Sequence, residues 1–492
     1  MLFNSYSFML FFPIVLCIYF VIPKKARHLW LLVASYYFYM GWNAKYALLI
    51  AASTIITYLG GLFIARRKEK KKWCLIGVIC INLLILFFFK YYDFALDNIN
   101  RILSFAGAGM IRRKFDVLLP VGISFYTFQA LGYIIDVYRG TIQAEKNFFR
   151  YALFVSFFPQ LVAGPIERSG NLLRQIDHIE EIHLFSYKRI TEGAVLMLWG
   201  YFLKMVIADR VSIVVDTVYN SYWMYGSTEL VIASVLFAIQ IYCDFASYSQ
   251  IAIGAAKIMG FDLMENFNTP YFASSIKDFW RRWHISLSTW LRDYIYIPLG
   301  GSRCSKLKKY RNLMLTFLIS GLWHGANWTY VIWGGIHGLY QVIEDATTPV
   351  REKIVKKYQM RTDNFSCRFG KIALTFILTD FAWIFFRANH VSDAFTIIAR
   401  IFTKANPWIL FDSSIYDILL PVNEVHILII ALVILFLVDL IRYKKNLTLA
   451  GFLNNQNLWF RYAVIFALLF FILIYGQYGP GFSAKQFIYF QF

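Results

Sequence analysis

Apolar runs of about 18–20 residues recur along the whole sequence, each long enough to cross a bilayer as an α-helix. This pattern predicts an all-α polytopic membrane protein. Only 16% of the 492 residues are charged and 59% are hydrophobic, whereas soluble domains carry roughly 25% charged residues. No polar segment is long enough to fold separately, so one integral membrane domain is expected over residues 1–492. The first run, 8–22, has no basic stretch before it and no small-residue cleavage site after it. It therefore reads as a retained helix rather than a signal peptide.

Candidate spans fall at about 6–23, 29–44, 46–65, 73–90, 117–137, 149–165, 190–208, 229–257, 312–326, 328–345, 370–387, 425–441 and 461–478. The net charge of +20 does not point to nucleic acid, because the basic residues cluster in short loops between apolar runs. These clusters lie at 24–27, 66–72, 306–311, 351–361 and 442–445. The intervening span counts permit all of them to share one face, taken as cytoplasmic. Both termini are then extracytoplasmic, and the apolar, aromatic tail 479–492 packs on the membrane surface. Six cysteines are scattered without paired metal spacing, so packing is their expected role. No metal site is expected.

Two basic clusters, at 306–311 and 351–361, bracket Gly321-Leu322-Trp323-His324-Gly325-Ala326-Asn327-Trp328. Residues 312–345 must then form a hairpin whose turn falls near 325–327. That places His324 at its inner apex, in the membrane middle or toward the outer face. Segment 156–176 carries Pro159, Gly164 and Pro165, which break a helix at membrane depth. Such backbone is tolerated only where protein buries it or where it lines a cavity. Segment 91–113 mixes apolar and polar residues and is expected in the interface. No internal repeat is visible.

A second histidine lies in 275–297. Ser275 and Asp278 form a helix-start signal. Phe279, Trp283, Leu287, Trp290 and Tyr294 then share one face at helical spacing. Arg281, His284, Ser288 and Arg292 form an adjacent polar row. The expectation is one amphipathic interfacial helix facing the cytoplasm, with His284 kept neutral by neighbouring like charge. Its arginines would meet either anionic lipid head groups or the phosphates of a nucleotide-bearing ligand. Asp244, with Gln240 and Ser247 on one helix face, is an intramembrane carboxylate. It is either functional or a structural group paired with an arginine or capping a broken helix. His337, 13 residues after His324, either orients His324 or packs. His28, His178, His183, His390 and His426 sit at span ends or in polar loops and carry no expected role.

The stretches 278–301, 321–328, 158–168, 242–250, 487–492 and 2–8 together resemble the membrane-bound O-acyltransferase family, in particular its polysaccharide-acetylating bacterial branch. The resemblance spans nearly the whole chain. It implies a ring of about 11–13 tilted and re-entrant helices around a thin central region with a through-membrane channel. It also implies a bacterial cell-membrane enzyme that moves an acyl group, acetyl in this branch, from a cytoplasmic thioester such as acetyl-CoA. The acceptor would be an extracytoplasmic polysaccharide. No permanently bound cofactor is implied. The family's near-invariant histidine falls on His324 and its second conserved polar position on His284. Arg281, Arg282, Trp283 and Asp244 are candidates for binding the donor, and Asn327 or a backbone N–H at the hairpin turn for stabilising an oxyanion. Implied partners are membrane lipid, the donor, an SGNH-like extracytoplasmic acetyltransferase and a polysaccharide-synthesis complex. A sister branch transfers D-alanine from a carrier protein to teichoic acids. Outside the enzymes, a polysaccharide transporter or export subunit would share the many spans, but a transporter predicts internal repeats between halves.

Overall fold

The structure is a computed structural model that describes residues 1–113, 115, 119–162, 164–359, 361–362, 364–412, 416 and 420–478. The expected tail 479–492 therefore lies outside the described residues. The chain is an all-α multi-pass membrane protein. Seven of the described helices are long and apolar enough to cross a bilayer. In chain order the principal helices are α1 (Tyr6–Val21), α2 (Arg27–Met40), α3 (Ala44–Arg66), α4 (Lys71–Phe105), α5 (Ile123–Arg139) and α6 (Phe148–Ser156). They continue as α7 (Tyr187–Asn220), α8 (Ser227–Met259), α9 (Ile276–Arg282), α10 (Ile285–Leu291), α11 (Lys306–His324) and α12 (Trp328–Lys357). The last are α13 (Phe365–Arg387), α14 (Val391–Thr403), α15 (Val422–Lys445) and α16 (Leu458–Tyr475).

The chain packs as two compact units, one of residues 1–194 and 251–264 and one of 195–250 and 265–492. The first is built on aromatic packing. Phe3, Phe8, Phe11, Phe38 and Phe158 meet at ring distances of 4.8–6.3 Å. Helix α4 carries a π-turn at Phe87–Tyr91 and continues to Phe105. The expected span ended near residue 90, whereas the helix runs on through the polar stretch, where Asp93 and Asp97 lie 3.8 and 3.0 Å from Arg113. The proline-bearing segment is broken as expected, with α6 ending at Ser156 and a single turn at Phe158–Leu161. Protein groups satisfy its backbone: Phe158 N–H donates to Ser35 Oγ at 3.1 Å, and Gln129 and Gln160 both donate to the Phe154 carbonyl. Glu167 then accepts from Asn171 at 2.8 Å and from the backbone N–H of Met264.

The second unit contains the hairpin. The turn between α11 and α12 falls at 325–327, where the basic clusters had placed it. Asn327 caps α12 by accepting from Thr329 N–H at 3.1 Å. The arms approach closely because both carry glycines. A Cβ on Gly321 would strike the Tyr330 carbonyl, one on Gly334 the Phe317 carbonyl, and one on Gly325 the Tyr330 ring. The basic ends of both arms lie together, with Lys309 and Asp345 paired at 2.5 Å. At 1.5 Å rise per residue, His324 sits ~27 Å along α11 from its lysine-rich start, close to the thickness of a bilayer core.

Candidate active site

The segment expected to be one amphipathic helix is two. Ser275 Oγ accepts from Asp278 N–H at 3.1 Å, which starts α9 as the sequence indicates. The helix ends at Arg282, and His284 takes a left-handed backbone conformation, φ 43° and ψ 53°, before α10 begins. A non-glycine residue there stores strain of about 1–2 kcal/mol. The break turns His284 out of the expected polar row. Arg281 and Arg292 are exposed, whereas His284 is fully buried. Burial, rather than neighbouring arginines, pushes its imidazole down to about 3 and keeps it neutral.

The sequence placed His284 on the cytoplasmic face and His324 on the other side. The structure instead brings them together, with ring centroids 6.3 Å apart. His324 ends α11 and is 4% exposed. Phe245 of α8 packs edge-on against His284 at 4.6 Å. Trp323 lies 5.9 Å from His284 and 5.0 Å from His324. Trp333 and Phe386 close the far side of His324 at 5.1 and 5.4 Å. The pair thus occupies an aromatic chamber. Such surroundings exclude water and favour neutral imidazoles, which exchange protons and hydrogen bonds without the cost of a buried charge.

The other candidates have structural partners. Trp283 is buried against Phe279, Phe267 and Trp383. Arg282 is paired with Asp278 at 2.9 Å and lies over the Tyr443 ring. Asn327 has its carbonyl on the α12 cap and its amide on the Asn389 carbonyl at 3.0 Å. Asp244 pairs with a lysine rather than an arginine: Lys204 Nζ lies 2.6 Å from Asp244 and 2.8 Å from Asp209, all three buried. Lys204 sits in a π-turn at Phe202–Ala208 within α7. His337, fully buried, accepts the Trp280 indole N–H at 3.2 Å. Lys204, Asp209 and Trp280 had no place in the sequence reading. A lysine inside an apolar run was the available signal for the first.

Residues 145–379 match the profile of the membrane-bound O-acyltransferase family. The chain is 39% identical over 411 residues to a probable alginate O-acetylase AlgI of Pseudomonas aeruginosa, covering 82% of this chain and 75% of that protein. It is 36% identical over 437 residues to a peptidoglycan O-acetyltransferase of Helicobacter pylori, covering 81% and 79%. It is 25% identical over 352 residues to a teichoic acid D-alanyltransferase of Bacillus subtilis, covering 67% and 82%. With its buried histidine pair on an all-helical membrane scaffold, the chain belongs to the membrane-bound O-acyltransferase family and is an acyltransferase.

Proposed function

We propose that this protein takes an acetyl group from a cytoplasmic thioester, acetyl-CoA being the simplest, and passes it across a bacterial cell membrane for O-acetylation of an extracytoplasmic polysaccharide. The observation that carries this reading is the His284–His324 pair, 6.3 Å apart in an aromatic chamber. Its higher identity to two O-acetylating relatives than to a D-alanyltransferase supports acetyl over D-alanyl. The shared basic end of α11 and α12 supports a cytoplasmic base for the hairpin, with His324 near the opposite side.

In this reading neutral His324 takes the proton of an attacking hydroxyl. The oxygen adds to the thioester carbonyl, the C–S bond breaks, and the proton passes to the departing thiolate. Positioned proton transfer of this kind is worth roughly 10²–10⁴-fold. Neutral His284 holds the thioester carbonyl or the nucleophile against His324, and the dry chamber protects the thioester from hydrolysis. The exposed Arg281 suits the donor's phosphates, beside Arg292, which is paired with Asp293 at 2.8 Å. A small cleft of about 20 Å³, partly open to solvent, is lined by Tyr242, Gln250, Asp439 and Arg442. Tyr242, which lines it, packs against Trp283, the neighbour of His284. The attacking hydroxyl belongs to the glycan or to a separate extracytoplasmic acetyltransferase that relays the group. The test is His324→Ala at wild-type membrane abundance: surface-glycan ester content should collapse, and unchanged ester content sinks the reading.

A further inference from the structure

The left-handed turn at His284 is held from both sides by one short strip of chain. Asn268 N–H donates to the Arg282 carbonyl at 2.9 Å, and Arg282 Nη1 reaches Thr269 Oγ1 at 3.3 Å. On the other side, Ile285 N–H donates to the Asn266 carbonyl at 2.9 Å. The Asn266 side chain adds three more bonds. Its Oδ1 accepts from Ser286 N–H at 3.3 Å and from Ser286 Oγ at 2.6 Å, and its Nδ2 donates to Ser249 Oγ at 3.0 Å. Ser249 stands one turn from Phe245 on α8, the residue whose ring meets His284. Asn266 is 1% exposed.

A strained non-glycine turn persists only where its surroundings over-determine it. The two residues after His284 owe that restraint to Asn266. We propose that Asn266 is a positioning residue: it holds the turn at His284, ties it to the α8 face that carries Phe245, and so sets the approach of His284 to His324. The proposal rests on the acyltransfer reading above. Displacing a reacting group by about 1 Å costs on the order of 100-fold in rate, so the effect belongs in kcat and not in KM.

The test compares thiol release from acetyl-CoA by inverted membrane vesicles with the thermal midpoint in detergent, for four variants. Asn266→Ala should lower kcat by about 10- to 100-fold with little change in KM. A triple variant, Asn266→Leu with Ser249→Ala and Ser286→Ala, replaces the polar cluster with apolar groups and should recover stability. It should not recover kcat. If turnover returns with stability, Asn266 only supports the fold and the proposal is overturned. Asn266→Asp keeps the acceptor for Ser286 and should hold turnover within about tenfold of wild type; a larger loss at normal abundance overturns the proposal even where the other variants do not accumulate. His324→Ala separates the two levels. Full turnover in that variant removes the acyltransfer reading itself. Its loss beside wild-type turnover in the Asn266 variants removes only the positioning role.

Discussion

The indole N–H of Trp280 donates to Nδ1 of His337 across 3.2 Å, joining α9 to α12. The bond fixes the His337 tautomer with its proton on Nε2, and the ring stacks on Phe279 with planes 6° apart. Trp333 stands between, 5.1 Å from His337 and 5.1 Å from His324. The short helix that leads into His284 is thus anchored to the hairpin whose first arm ends in His324.

Trp280→Phe keeps the aromatic packing and removes the donor. It should cost about 1 kcal/mol in stability and lower turnover, with KM for acetyl-CoA little changed. Thermal midpoint and initial rates on the same vesicle preparation read both effects. A variant with an unchanged midpoint and unchanged rate would show that the bond anchors nothing.

The Lys204–Asp209–Asp244 cluster predicts an asymmetric mutational response. Lys204→Met leaves two carboxylates buried without their cation, and breaking a buried pair this way costs roughly 3–5 kcal/mol. Membrane abundance should fall sharply. Adding Asp209→Leu and Asp244→Leu removes the orphaned charges and should restore abundance. The restored triple variant should still turn over, because the cluster serves the scaffold. Recovered abundance with lost turnover would instead place a carboxylate of the cluster in the reaction.

Glu167 predicts a pH dependence. It lies in none of the membrane-spanning helices, and burial lifts its carboxyl from 4.5 to about 7 despite the bonds from Met264 and Asn171. The folded state then holds a proton that the unfolded chain releases, so stability falls as pH rises from about 4.5 to about 7 and levels off above. Thermal midpoints taken across that window should decline, and Glu167→Gln should flatten the slope. An equal slope in the variant would assign the dependence to another group.

Much of the scaffold is readable from the residues. The basic clusters and Gly325-Ala326-Asn327 located the hairpin turn, and Pro159, Gly164 and Pro165 located the broken helix. The histidines were legible through their motifs, but their distance from each other was not. Phe279, Trp283, Leu287, Trp290 and Tyr294 are spaced for an unbroken helix, with no glycine or proline at residue 284 to mark a stop. The break is imposed by tertiary bonds from Asn266 and Asn268, which local periodicity does not register. For the same reason Asp244 stood out alone, because its partner Lys204 lies 40 residues earlier in the chain.

If His284 and His324 act on one acyl group, a double-mutant cycle on kcat must show it. Residues that act as a unit are strongly non-additive. His284→Ala and His324→Ala should each lower turnover by about 10²–10⁴-fold, and the double variant should be no slower than the slower single. Losses that multiply, or a single variant that retains full turnover, would mean that the two histidines do not act together.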